Sequence, residues 1–450
     1  MIETPNPIPA AELLLGDLLS NRNVRITICF EKTETLCYDE AFERETDEKS
    51  LFVVSQTQDV FYVRIVCSGE KSAFYALSEI DRRIKNGTLC GGTFPLSPSF
   101  SVRGYIEGFY GAPWTHSQRL AMMERMAKCR MNTVFYAPKD DPYHRERWKA
   151  FYPEDQLFRL RQLTEHARQL YLDFYWCVAP GLSIRYSDPQ DFERLCEKTK
   201  QVFGLGVRHF GLLLDDIPET LRYEEDRKAY RSIEKAHIDL IARYYNYLRD
   251  LDPDATLAVC PLVYHGTGSE PYITELGNNV PEDVLLFWTG KDVCSREHTV
   301  IDAARFALHT RHKPLYWDNY PVNDEAMFRE MHLGPVVGRE KVLARFSAGL
   351  IANCMEYAAC SQIPLSTIAD YTWDSENYDP EASFEYAVRE AVGEQNAQAF
   401  LTFADHLYTS CLLNDNSRRL IKTLYGIAGM VCDHREKEAA AQAAAFRCFS

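Results

Sequence analysis

The sequence predicts an α/β fold: a (β/α)8 barrel of the TIM type, preceded by a small α/β domain and followed by C-terminal helices. Three observations carry this. Between Val102 and Asn353 the chain passes through about eight apolar, strand-like segments separated by helical periodicities. That stretch is roughly 250 residues long, the usual size of such a barrel. Polar residues crowd the ends of these same segments, which is where a barrel carries its chemistry. A doubly wound sheet gives the same alternation, and periodicity alone does not separate the two. The expected division of the 450 residues is 1–98, 99–374 and 375–450.

In the first unit, Val24, Ile26, Ile28 and Phe30 alternate with Arg25, Thr27 and Cys29, the pattern of a half-buried strand. Leu51–Val54 and Val60–Val66 read as two more strands. Phe74, Leu77, Ile80 and Ile84 mark one face of a helix that stops at Asn86-Gly87. Gly91-Gly92 and the segment Phe94–Pro98 read as a linker. The eight barrel strands are expected at Val102–Phe109, Met131–Ala137, Asp173–Ala179, His209–Leu214, Thr256–Val263, Val284–Trp288, Pro314–Trp317 and Gly349–Asn353. Beyond Asp374 the pattern is helical. Phe384, Ala387 and Ala391 share one face, Phe400, Phe403, Leu407 and Cys411 another, and Glu436–Phe446 is an Ala-rich helix former.

Composition narrows the function. Hydrophobic residues make up 46% and charged residues 26%, which is ordinary for a globular chain. Fifty Lys and Arg against 65 Asp and Glu leave a net charge of −15, so nucleic acid and anionic membrane surfaces are disfavoured partners. Fourteen cysteines contain no Cys-x-x-Cys pair, and Cys29, Cys67, Cys129, Cys177 and Cys260 sit in or beside apolar runs. This suits free, buried thiols in a reducing compartment. The start Met1-Ile2-Glu3-Thr4-Pro5 has neither a basic nor an apolar leader, and no apolar run approaches ~18 residues. No signal peptide and no membrane span are therefore expected, and the expected location is the cytoplasm. His116, His144, His209, His237 and His265 lack metal-ligand spacing, so no metal is expected.

The strand ends carry Glu107-Gly108-Phe109-Tyr110-Gly111, Lys139-Asp140-Asp141, Asp215-Asp216, Cys260 with Tyr264, Trp288-Thr289-Gly290, Trp317-Asp318-Asn319 and Asn353. Asp215-Asp216 weighs most. Neighbouring side chains on a straight strand face opposite ways, but a bend at the strand end aims both into one pocket. Two carboxylates held close do not ionise equally; one stays protonated as a general acid. Acetal cleavage uses such a pair. A capping Asp followed by a solvated Asp is the plainer reading of the same two letters. The aromatics and amides at the other strand ends favour a sugar site. Glu107, in the same stretch as Arg103, offers itself as a third acid.

The segments Arg103–Trp114 and Tyr136–His144, followed by Leu214-Asp215-Asp216-Ile217, Trp288-Thr289-Gly290 and Trp317–Asp324, resemble glycoside hydrolase family eighty-four, the family of O-GlcNAcases and bacterial β-N-acetylglucosaminidases. The likeness runs from Val102 to Tyr357. It implies a retaining exo-enzyme in which the substrate's own 2-acetamido oxygen is the nucleophile and an oxazoline forms, an exception to the two-carboxylate scheme. Under it Asp215 orients the acetamido group, Asp216 is the acid and then the base, and Glu107 has no chemical role and is structural, paired with Arg103. Tyr264 binds the acetamido oxygen. Cys260 and Trp317 wall the methyl pocket, and Gly104, Lys139, Asn319, Asp324 and Asn353 hold the sugar. The implied substrates are N-acetylglucosaminylated proteins, or alternatively glycan or cell-wall fragments, with no cofactor. A catalytically silent sugar-binding module is the rival of another class.

Overall fold

The computed structural model describes residues 2–4, 6–31, 47–328, 330–404 and 407–408. Cys411 and the Glu436–Phe446 segment lie outside them. The first unit is a five-stranded mixed sheet of β1 (Ile2–Glu3), β2 (Val24–Phe30), β3 (Ser50–Thr57), β4 (Val60–Cys67) and β5 (Gly92–Leu96), in the order β1-β2-β4-β3-β5. The segment expected as a linker is therefore an edge strand: Gly92–Leu96 pairs antiparallel with Val54–Ser50 of β3. Its Gly and Pro content is tolerated because only one of its edges is paired.

The helix Glu70–Lys85 lies on this sheet and ends as the sequence requires, with Gly87 at φ +64° and its N–H donated to the Ile84 carbonyl. It buries Phe74, Leu77 and Ile80, and also Tyr75 and Ala76, because its far side packs on the barrel. Tyr75 meets Trp373 edge-on at 5.5 Å.

Eight parallel strands close the barrel: β6 (Val102–Glu107), β7 (Thr133–Tyr136), β8 (Asp173–Val178), β9 (His209–Leu213), β10 (Thr256–Cys260), β11 (Leu285–Trp288), β12 (Pro314–Asp318) and β13 (Gly349–Asn353). Pairing of β13 with β6 shuts the ring and excludes the open sheet. The interior is solid. Ile106, Phe135, Tyr175, Leu213, Ala258, Phe287, Leu315 and Ile351 fill it. Phe135 stacks on Tyr175 at 4.1 Å and meets Phe287 at 5.0 Å, and Phe287 meets Trp317 at 5.2 Å. This aromatic column ends under the C-terminal rim.

Helix Ala358–Trp373 completes the barrel, and Pro380–Val392 and Glu394–Ala404 pack beside it. Phe384 and Ala387 are buried as expected, but Val388 takes the place expected for Ala391, which is exposed. No helix among the described residues is long and apolar enough to cross a membrane.

Sheet and barrel are joined by buried charge. Arg103, fully buried on β6, donates to Glu48 Oε2 at 2.6 Å and to the Arg130 carbonyl at 2.7 Å. Glu48 also meets Lys71 at 2.9 Å and Asn132 at 3.0 Å. Burial alone would raise the Glu48 carboxyl; Arg103 and then Lys71 outweigh it and hold it at about 2, against an ordinary 4.5. A folded-state value below the unfolded one gives stability that is present above the unfolded value and is lost as pH falls toward the folded value. The shift corresponds to roughly 3 kcal/mol. Glu48→Gln is expected to lower the unfolding free energy at neutral pH by about 3 kcal/mol and to flatten its fall between about pH 5 and pH 2. Denaturant titrations followed by tryptophan fluorescence at several pH values check this; an unchanged pH slope in the variant would dismiss the linkage.

Candidate active site

The rim at the C-terminal ends of the strands gathers most of the residues singled out from the sequence. Leu214 continues β9 by donating its N–H to the Cys260 carbonyl at 2.8 Å. Asp215 follows, buried, and then Asp216, exposed and at φ +51°. The required bend is therefore made at Asp216 itself, in the left-handed region that non-glycine residues seldom occupy.

The two carboxylates have different neighbours. Lys139, just beyond β7, brings its Nζ to 3.4 Å from Asp215 Oδ2. Burial favours the neutral amine, but Asp215 outweighs it and holds Lys139 above the usual lysine value. Asp216 is met by hydroxyls. Tyr110 donates to its Oδ2 at 2.7 Å and Tyr264 to its Oδ1 at 3.3 Å. Burial, and then Asp216, push the Tyr264 phenol up, so it remains a donor at neutral pH. Among the described residues no cation comes within 4.0 Å of the Asp216 carboxylate.

The floor and the far wall come from β10, β12 and β13. Cys260 and Trp317 lie in the interior cluster with Tyr264 packed against it. Burial, then Asp215, push the Cys260 thiol well up, so it stays protonated. Asn319 Oδ1 accepts from Trp317 Nε1 at 3.0 Å and from Asn353 Nδ2 at 2.9 Å, while its amide donates to the Val293 carbonyl. Asn353 Oδ1 is buried with no hydrogen-bond partner among the described residues. A buried acceptor left open in this way suits a ligand donor such as a sugar hydroxyl. Asp324 accepts the Tyr110 N–H at 2.8 Å, and burial raises its carboxyl.

Two expectations need correction. Gly104 does not reach the rim. It pairs with Thr133 low in the barrel, and a Cβ there would stand 1.9 Å from the Thr133 carbonyl oxygen, so its smallness serves strand packing. The glycine at the site is Gly108, where a Cβ would stand 2.6 Å from the Trp317 ring and 3.2 Å from Asn353 Oδ1. Glu107 is structural, but its partner is Arg119, which binds it through two bonds at 2.7 and 2.8 Å; Arg103 is taken by Glu48. Sequence reading also passed over Tyr110 and Arg145. Tyr110 closes the Gly108-Phe109-Tyr110 run, and Arg145 directly follows His144 at the end of the second motif. No cluster of three metal-ligating side chains occurs among the described residues. A cleft of about 1020 Å³ opens at the opposite end of the barrel, against the sheet, lined by Arg82, Arg130, Lys313, Asp370 and others; it holds none of these residues.

A parallel barrel with two carboxylates of unlike surroundings at its C-terminal rim, beside aromatic and amide groups, has the architecture of a glycoside hydrolase. The family model described as beta-N-acetylglucosaminidase matches residues 103–405, and the chain belongs to that family. The protein O-GlcNAcases of Rattus norvegicus and Mus musculus are each 32% identical to it over 280 residues, which is 61% of this chain. The chain spans 30% of the length of these curated relatives. Among solved structures, a mutant of the O-GlcNAc hydrolase from Thermobaculum terrenum is 34% identical, with a TM-score of 0.70 over 76% of this chain and 74% of that one. The structure of CpGH84B is 26% identical, with a TM-score of 0.79 over 96% of this chain and 77% of that one.

The two glycines are separable by experiment. Gly108→Ala is expected to displace the Trp317 ring and cut turnover of an aryl N-acetyl-β-glucosaminide by about tenfold or more, with only a small change in melting temperature. Gly104→Ala is expected to force β6 from β7 and to lower the melting temperature by several degrees. Paired thermal melts and initial rates test the assignment, which fails if the two variants exchange these effects.

Proposed function

We propose that this protein is a retaining exo-β-N-acetylglucosaminidase that removes terminal O-linked N-acetylglucosamine from Ser and Thr of proteins by substrate-assisted catalysis. The observation that carries the reading is the unequal setting of Asp215 and Asp216: one buried beside a lysine, the other exposed beneath two phenols.

The roles follow from those settings. Asp215, accompanied by Lys139, accepts the acetamido N–H and stabilises the positive charge that develops as the acetamido oxygen attacks the anomeric carbon. Tyr264, now bonded to Asp216, turns its hydroxyl to the acetamido oxygen when substrate enters. The nucleophile is thereby held in a near-attack position. Asp216 gives its proton to the departing oxygen, then accepts one from the water that opens the oxazoline. Cys260 and Trp317 enclose the acetamido methyl group. Lys139, Asn319, Asp324 and Asn353 bind the sugar, Asn353 through its open Oδ1. Gly108 leaves room for the ring. The names of the relatives support a glycosylated protein as substrate. We place the enzyme in the cytoplasm, a setting suited to the buried thiols Cys67, Cys177, Cys260 and Cys354.

If the acetamido oxygen is the nucleophile, its electron density sets the rate. Replacing acetyl by mono-, di- and trifluoroacetyl is expected to lower turnover steeply and in order, and Asp215→Ala to lose most activity and flatten the series. Rates across the series decide; indifference to fluorine, or a sugar found covalently bound to either aspartate, would restore a protein nucleophile. As the acid, Asp216 matters most when the leaving group is poor. Asp216→Ala is expected to slow poor leaving groups by ~100-fold or more and activated aryl groups far less. Equal losses on both would remove Asp216 from the acid role.

A further inference from the structure

Asp216 stands at φ +51°, a conformation uncommon outside glycine, though less so for aspartate, and here it is held by specific contacts. The enforcing contacts converge on Arg145. Its Nη2 donates to the Asp216 backbone carbonyl at 2.9 Å, and its Nη1 donates to the Tyr110 hydroxyl at 2.9 Å. That hydroxyl in turn donates a hydrogen bond to Asp216 Oδ2 at 2.7 Å. The guanidinium, the phenol, the carboxylate and the carbonyl of one residue thus form a closed ring. One prong of the fork fixes the Asp216 main chain, and the other fixes its side chain through Tyr110.

The base of this fork is rigid. His144, the residue before Arg145, is fully buried, with Nδ1 at 2.9 Å from the Cys177 carbonyl. Its own carbonyl accepts the Ala179 N–H at 2.8 Å, and its N–H is donated to the Asp141 carbonyl. Arg145 is therefore anchored to the end of β8 and reaches across to the end of β9. Tyr110 is anchored in turn, because its N–H is bonded to Asp324.

The fork also avoids the carboxylate. No ion pair within 4.0 Å joins Arg145 to Asp216, in contrast to Lys139 and Asp215. A cation seated on a carboxylate favours the ionised form and opposes proton donation. Arg145 places its bonds on neutral oxygens instead. Lysine is no substitute, since a single ammonium does not reproduce two parallel donors in a planar fork.

We infer that Arg145 is a positioning residue for proton transfer: through the Asp216 carbonyl and the Tyr110 hydroxyl it holds Asp216 in the bent conformation that aims its carboxyl at the departing oxygen. This rests on the reading of Asp216 as the acid. It predicts that losing Arg145 imitates a weakened acid rather than a weakened sugar site.

The test compares Arg145→Ala, Arg145→Lys, Tyr110→Phe and Asp216→Asn over a series of N-acetyl-β-glucosaminides with leaving groups from alkyl to dinitrophenyl. Arg145→Ala is expected to lower kcat/KM, which reports the steps through cleavage, by about tenfold or more for the poorest leaving groups and to leave it within about threefold for the dinitrophenyl substrate. Arg145→Lys is expected to recover less than half of the loss on a logarithmic scale. Tyr110→Phe added to Arg145→Ala is expected to cost little more, as for members of one network. Losses of kcat/KM equal for all leaving groups would overturn the proposal, as would full rescue by lysine. Asp216→Asn separates the two claims. If it shows the steep leaving-group dependence and Arg145→Ala does not, the positioning role alone fails; if Asp216→Asn shows none, the acid assignment itself fails. Should Arg145→Ala not fold, Arg145→Lys and Tyr110→Phe carry the same comparison.

Discussion

Closure of the barrel is the constraint on which the site depends. The register Gly349↔Val102 to Asn353↔Ile106 brings together stretches some 250 residues apart in the chain. It works because small residues stand where strands approach closely. A Cβ at Gly349 would lie 2.5 Å from Val102, one at Gly104 would meet the Thr133 backbone, and one at Gly211 would meet the Cys177 sulfur at 2.4 Å. Once the ring is shut, Asn353 bonds Asn319 and borders Gly108, and Tyr110 reaches Asp216. No strand owns the site. The packed column from Tyr175 to Trp317 gives it a floor that does not yield.

Adjacent carboxylates are a costly arrangement unless their surroundings differ. Here the difference is built from short range and from separate strands. A lysine from the end of β7 meets the buried member, and phenols from the ends of β6 and β10 meet the exposed one. The left-handed turn at Asp216 is what allows two consecutive residues to face one space. Local chain geometry and the division of chemical labour are thus one feature.

Much of this was legible in the residues. The eight barrel strands fall where apolar runs lie, because strands buried on both faces need no alternation. Their ends were slightly overextended: β6 stops at Glu107 and β10 at Cys260, before Pro261. Asp215, Asp216, Lys139, Cys260, Tyr264, Trp317, Asn319, Asp324 and Asn353 do converge on one rim. What failed had a common cause. Gly104 and Gly108 look alike in sequence, and only the register shows which is low in the barrel and which is at its mouth. Glu107 has arginines on both sides in the chain, and only the helix His116–Lys128 brings Arg119 to it. The second face of Glu70–Lys85 carries no separate period, since a helix buried between two layers loses its polar stripe. Arg145 acts through a backbone carbonyl, a partner present at every position and therefore invisible in a pattern.

The buried Arg103–Glu48 pair has a bearing on modularity. Arg103 belongs to the first barrel strand, yet its counter-charge comes from the sheet that precedes the barrel. Excising that unit would remove Glu48 and at the same time open Arg103 to water, so the guanidinium would be solvated and the buried pair simply lost. The same seam carries Arg82 to Asp370 and Glu79 to Arg130, so several charges would be uncovered together. A free-standing barrel would keep Arg103 as an exposed charge; its liability would be the apolar surface uncovered beside it, such as Trp373 opposite Tyr75. Separation of the barrel is limited here by a seam of several ion pairs at the end opposite the candidate site.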